Sequence, residues 1–294
     1  MARSDVDVVV HPDSSLRYYG FYLEGVLQAL PGARLRFGLA DMPVLPDAKF
    51  GLALLVGGRR IFIAADDRPE IDDAALAWSD VYGAVNLATA DLHRDKVVAL
   101  GPSFGLRWGG PALPLVYSAR AARVSRTGPP LRSRLKQYVP HQRQRAPLSS
   151  YVPHASDPDR LFYAATFWHA HPAANEERAD FLRAAMARTL PRFEGGFVSS
   201  VALPPEFEGL RSSRAYSHAE YLERLSSSAF AFNTPAVHGC LGWKLGEFLA
   251  LGKAVVTTPI ERPMPGDVGH GHLFHEVDGT AGSFADAIER LTRD

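Results

Sequence analysis

The apolar positions of this chain fall into two rhythms, one of period two or unbroken, the other of period three to four. Residues 6–10 are a β-branched run interrupted only by Asp7, which predicts a strand. From 16 to 30, Leu16, Tyr19, Leu23, Val26, Leu27 and Leu30 recur at helical spacing, and Pro31-Gly32 stops the helix. Further strands are predicted at 35–37, 52–56 and 61–65, with Gly57-Gly58 as a hairpin turn between the last two. A short helix over 72–80 and a strand over 97–100 follow.

The second half is more regular. It predicts strands at 161–167, 197–203, 229–232, 254–258 and 273–277. Helices are predicted at 175–189, 218–226, 243–251 and 284–291. Glu176-Glu177 suits the positive start of the first of these helices, and Gly252 closes the third. Strands alternating with helices at this spacing imply a parallel sheet with right-handed crossovers. Ligands in such sheets bind at the carboxyl ends of the strands.

Between the halves, residues 96–156 contain no Asp or Glu. The stretch does carry Arg107, Arg120, Arg123, Arg126, Arg132, Arg134, Lys136, Arg143 and Arg145. Five prolines, from 129 to 153, punctuate its latter part. Residues 124–158 read as an inter-domain connection with one short helix near 131–138. That connection is either a solvated linker or a basic strip, about 120–145, facing an anionic acceptor or a membrane surface.

The totals fit two domains, 1–155 and 156–294, within 294 residues. Thirty-two basic residues balance thirty-two acidic ones, which argues against a protein dedicated to nucleic acid. The single cysteine, Cys240, excludes an intramolecular disulfide. The amino-terminal residues lack the apolar core of a signal peptide, and no apolar run reaches membrane-spanning length. A soluble, cytoplasmic protein is the expectation.

The densest chemistry lies in 232–259. A buried strand leads through a loop holding Gly239 and Gly242 into a helix, then a glycine stop and another buried strand. The glycines let backbone amides approach a ligand, and the helix N-terminus favours a phosphate. Lys244, in the first turn, is placed to add charge beside a diphosphate. Glu247 follows in an otherwise apolar helix. A ribose diol would satisfy it, and so would an exposed position paired with Lys244 or Lys253.

This stretch resembles the donor-binding region of GT-B glycosyltransferases, especially bacterial family 1 and family 4-like enzymes. The resemblance rests on Glu247, Leu249, Ala250, Gly252, Lys253, Ala254, Val255, Val256 and Thr258. Residues 78–86, 101–107 and 175–183 are similar to other parts of those proteins. The resemblance implies two Rossmann-like α/β domains facing across a cleft, with parallel sheets flanked by helices. It also implies metal-independent sugar transfer from a nucleoside-diphosphate sugar to a small-molecule, glycan or lipid-linked acceptor, and no cofactor. Glu247 is then the ribose contact. His238, Gly239, Cys240, Leu241, Gly242 and Trp243 line sugar and diphosphate, and Lys244 supports the leaving group. Many retaining members carry a second Glu where this chain has Gly239. Thr166, Trp168 and His169 stand where an Arg and a Lys are common. Gly20 corresponds to a glycine near the donor phosphates, or is a helix glycine that eases packing. Tyr19 and Arg107 are candidate acceptor contacts. Asp66 and Asp67 are candidate bases, or caps of the following helix.

Two other chemistries compete. His169 and His171, with His270, His272, His275 and Glu276, have spacings a metal could use, and with Asp66-Asp67 they could build a zinc-dependent hydrolase. A dinucleotide oxidoreductase would place a G-x-G-x-x-G after the first strand, where His11-Pro12-Asp13-Ser14-Ser15 stands instead. A non-catalytic sugar-nucleotide-binding scaffold is the third reading.

Overall fold

The computed structural model describes residues 6–45, 51–110, 112–266, 271 and 273–293. These fall into two compact units, 1–150 with 262–265, and 151–261 with 266–294.

The first unit is a six-stranded mixed sheet. In chain order it runs β1 (Asp7–Val10), α1 (Leu16–Ala29), β2 (Arg34–Phe37), β3 (Leu52–Val56), β4 (Arg59–Ala64), α2 (Asp73–Trp78), β5 (Val81–Ala84) and β6 (Val97–Ala99). The helices α3 (Leu113–Val124) and α4 (Leu131–Gln144) follow. The strand order is β2-β1-β3-β4-β5-β6. β3 runs antiparallel to both β1 and β4, as the hairpin expected at Gly57-Gly58 requires of β3 and β4, and the parallel sheet that the resemblance implies is corrected for this unit. The cause is local. Gly57 (φ 58°) and Gly58 (φ 85°) adopt the left-handed conformation of a two-residue hairpin and return the chain beside itself. β5 escaped notice in the sequence because it is four residues long and contains Gly83. A Cβ there would meet the Leu100 side chain at 2.7 Å.

The expected linker is also corrected. Residues 113–144 form two helices that belong to this unit. α3 buries Pro114, Tyr117, Ser118 and Ala121, and α4 buries Arg134, Tyr138, His141 and Gln142. Arg134 is 1% exposed and pairs with Asp13 at 2.8 Å. It also donates to the carbonyls of Pro12 at 2.6 Å and Pro129 at 2.8 Å. Ser125 Oγ adds a hydrogen bond to Asp13 at 2.5 Å. The acid that neutralises this arginine lies 121 positions upstream, so an acid-free stretch of sequence is not an uncompensated one in space.

The second unit contains β7 (Arg160–Thr166), α5 (Pro172–Met186), β8 (Arg192–Val198), α6 (Pro205–Glu208), α7 (His218–Ser227) and β9 (Ala231–Asn233). It continues with α8 (Trp243–Ala250), β10 (Val255–Thr257), β11 (Phe274–Glu276) and α9 (Ala281–Arg293). β7 and β8 pair in parallel, as do β9, β10 and β11. β9 enters beside β7, where the Ala229 amide donates to the Arg160 carbonyl at 2.8 Å. The core is aromatic. Phe181 stacks on Phe232 with ring centroids 3.8 Å apart, and Phe284 and Tyr163 meet Phe232 edge-on. β8 lies earlier than the expected 197–203 because Gly195 and Gly196 sit inside it and break the apolar pattern. A Cβ on Gly195 (φ 132°) would fall 1.9 Å from the Tyr163 carbonyl.

Candidate functional site

In the second unit β8 lies on one side of β7 and β9 on the other. The crossovers from β7 and β9 therefore leave in opposite directions, and their carboxyl ends form a switch point where α/β sheets bind ligands. Two helices start there. α5 begins at Pro172, which sets the backbone for a first turn. α8 begins after Gly242. Asn175 is buried and clamps the β7–α5 loop, accepting from the Trp168 amide at 3.1 Å and donating to its carbonyl at 2.8 Å.

One turn further along α5, buried Arg178 folds back over the strand ends. Its Nη1 donates to the Thr166 carbonyl at 3.3 Å and its Nε to Thr234 Oγ1 at 3.4 Å. The guanidinium lies 5.1 Å from the centroid of the Trp168 ring. Both hydrogen bonds are long, and a guanidinium has five N–H donors. Sequence reading missed this residue. It looked for cations directly after β7, and Arg178 arrives from the helix; its spacing of three from Asn175 was the available signal.

Lys244, in the first turn of α8, is the second cation. The ammonium turns toward the sheet and donates to the Ala164 carbonyl. It lies 4.8 Å from the centroid of the Tyr163 ring and 5.8 Å from that of Tyr221. Burial, reinforced by the charge of Arg178, pulls it down to about 7, against a smaller opposing effect of Glu247. Burial likewise pushes the Tyr163 phenol up to about 12.

Glu247 is 3% exposed and enclosed by its own unit. Tyr151 donates to its Oε1 at 3.4 Å, His218 Nε2 stands 3.9 Å from the same oxygen, and Tyr151 and His218 are 3.0 Å apart. The Tyr221 phenol is held well above its ordinary range by burial first and by the Glu247 carboxylate second. Partners from distant segments thus satisfy the carboxylate, so the pairing with Lys244 or Lys253 on an exposed face is corrected. Lys253 is itself buried. It donates to Ser156 Oγ at 2.6 Å, to the Ser226 carbonyl at 3.1 Å and to the Ser228 carbonyl.

The 238–243 loop follows β9. His238 (φ 60°) and Gly239 (φ 70°) are both left-handed, a strained state for histidine that costs about 1–3 kcal/mol. Gly242 is the N-cap of α8, Cys240 and Leu241 are buried, and Trp243 is half-buried. A Cβ on Gly239 would lie 3.9 Å from Glu261 Oε2, so a carboxylate from another loop reaches the side of the position where a glutamate was missing. Thr166 and His169 are exposed at the end of β7, with the His169 ring 4.9 Å from Phe167.

The candidates in the first unit fare differently. Tyr19 is fully buried. Burial raises its phenol first, the Asp66 charge second, and its hydroxyl bonds to the backbone of Ala65. It is a core residue, which corrects its assignment to an acceptor. Gly20 is buried where a Cβ would sit 2.8 Å from the Trp108 indole, so the packing reading explains it. Arg107 is exposed, and its backbone bridges to Pro147. Asp66 pairs with Arg68 at 2.7 Å, and burial outweighs that pairing to raise its carboxyl. Asp67 is exposed. Neither caps α2; Asp72 does, accepting from the Ala75 amide at 3.0 Å.

For the histidines, the His171 ring lies 6.4 Å from His238 and 5.7 Å from Trp168. His275 and Glu276 belong to β11. His270 and His272 lie outside the described residues, as does most of the 266–272 loop. Among the described residues no group of three or more His, Cys, Asp or Glu side chains is placed to hold a metal. No helix among them is long and apolar enough to cross a membrane. No protein-family model matches the chain, and no curated protein matches it.

Proposed function

We propose that the switch point of the second unit binds the diphosphate of a nucleoside-diphosphate sugar, and that the protein is a GT-B-type glycosyltransferase. The observation that carries this reading is the charge count at the carboxyl end of β7. Two cations, buried Arg178 and half-buried Lys244, stand near one enclosed carboxylate, Glu247. An arginine that keeps only two long hydrogen bonds beside a lysine ammonium is a site short of negative charge, and a diphosphate supplies it.

In this reading Arg178 and Thr234 hold the phosphates with the 238–243 loop and the start of α8. Lys244 contributes positive potential from the sheet side rather than direct contact. The bond between the sugar anomeric carbon and the diphosphate oxygen breaks. The acceptor oxygen bonds to that carbon, its proton passes to a base, and the cations stabilise the departing diphosphate. Glu261, beside Gly239, is the carboxylate offered to the sugar hydroxyls. Glu247 orients the ribose only by releasing the Tyr151 hydroxyl, so its first role is to hold the floor of the site.

The test is a thermal-shift panel of UDP, GDP, ADP, dTDP and CDP with divalent metal chelated. At about a hundredfold excess over Kd, binding adds about 2.7 kcal/mol, a shift of several degrees. One base should give that shift; a flat response to all five, or a shift restored only by metal, would overturn the proposal.

A further inference from the structure

The acid-free helices α3 and α4 are not used by the nucleotide site. Their buried sides pack into the unit, with Arg134 paired to Asp13 and Tyr117 stacked on Trp108. Their outward sides have a different chemistry. On α3, Leu115 is 54% and Val116 41% exposed, and Arg120 and Arg123 continue the same stripe toward the C-terminus. Positions 115, 116, 119, 120 and 123 share one face at 100° per residue. On α4, Leu131 is 40% exposed, and Arg132, Lys136 and Arg143 are aligned outward along one side.

Arg126 stands exposed in the turn between the helices. No carboxylate occurs anywhere from 97 to 156, and Asp13, which Arg134 neutralises, is buried. Among the described residues none of the six outward cations is in an ion pair. A protein of zero net charge thus gathers a one-signed patch on two adjacent helices and sets exposed aliphatic side chains beside it.

We infer that the outward side of α3 and α4 docks on an anionic lipid surface, its cations meeting lipid phosphates and Leu115, Val116 and Leu131 entering the headgroup boundary. Cations beside aliphatic side chains are the composition of an interfacial amphipathic helix. The chemistry favours lipid over nucleic acid. Single strands are gripped by aromatic platforms, and the aromatic residues of these helices, Tyr117 and Tyr138, are buried. The inference does not depend on the transferase reading, and its test uses no nucleotide.

The test is flotation of the full chain with vesicles of phosphatidylcholine alone and of phosphatidylcholine with phosphatidylglycerol, at low and at high salt. Binding to the anionic vesicles at low salt is expected, with little to the neutral ones. The double variant Arg120→Glu, Arg123→Glu should weaken it by more than about fivefold per residue. Leu115→Ser with Val116→Ser should leave low-salt binding largely in place and abolish what persists at high salt. All four positions are exposed, so an unchanged melting temperature is expected and certifies each variant. Equal binding to both vesicle types, no binding to either, or charge-reversed protein that binds like the wild type would overturn the inference. So would tighter binding to a single-stranded or duplex oligonucleotide than to the anionic vesicles at the same salt.

Discussion

Arg178 and Glu247 show how differently two buried charges can be placed in one small region. Arg178 keeps two long hydrogen bonds and a ring face. Glu247 lies enclosed in the unit, taking a 3.4 Å hydrogen bond from Tyr151 with His218 at 3.9 Å from the same oxygen. Glu247→Ala is therefore expected to lower stability by about 1–3 kcal/mol, because it leaves buried polar groups unpaired. Urea unfolding measures this, and unchanged stability would show that the enclosure carries no weight. Glu261 is exposed, so Glu261→Gln should leave the fold intact and weaken use of the sugar donor. A kinetic profile indistinguishable from the wild type would remove it from the site. The 238–243 loop and the start of α8 were legible in the sequence, since the glycines and the helix start are local features. Arg178 and the partners of Glu247 were not. Tyr151 lies 96 positions from Glu247, and only the fold brings the two together.

At the scale of elements, Lys253 ties α7 and the chain at Ser156 to the start of β10. Its ammonium takes carbonyls from the C-terminal end of α7, where a helix dipole welcomes a cation. Lys253→Met should cost about 1–3 kcal/mol by stranding those acceptors. Far-ultraviolet melting would register it, and a variant as stable as the wild type would contradict the tie. α7 matches the helix expected at 218–226, and Ser217 and Glu220 form a reciprocal capping box at its start. The hairpin at Gly57-Gly58 and helix α1 were also readable from local signals. α3 and the full length of α4 were not. Pro129, Pro130 and Pro140 suggest a linker, yet Pro130 precedes α4 as its N-cap and Pro140 is accommodated inside it. β5 and β8 were blurred by Gly83, Gly195 and Gly196: a Cβ at 195 or 196 would strike backbone and one at 83 the Leu100 side chain, contacts that no period of apolar residues reveals.

For the whole molecule, the two depressed lysines give stability a pH dependence. Lys244 lies at about 7 and Lys253 at about 8, both below the ordinary lysine value of about 10.4. Between those values the unfolded chain binds more protons than the folded one, so stability rises with pH from about 7 toward 10. Above that the trend reverses, because buried phenols such as Tyr163, at about 12, keep their protons only in the folded state. Melting temperatures across this range should climb and then fall. A steady decline from pH 7 would contradict the burial of the lysines. Diphosphate binding should move the opposite way, because it needs Lys244 charged, and a bound anion returns the proton that burial removed.

Isothermal titration of the responding nucleoside diphosphate at pH 8, in buffers of different ionisation enthalpy, therefore tests the central claim most directly. Binding with proton uptake is predicted for the wild type. Uptake should vanish in Lys244→Met, and affinity should fall about tenfold or more in Arg178→Gln, the loss of one charge-assisted hydrogen bond. Binding without proton uptake, or an Arg178→Gln protein that binds as tightly as the wild type, would contradict a diphosphate site built on these two cations.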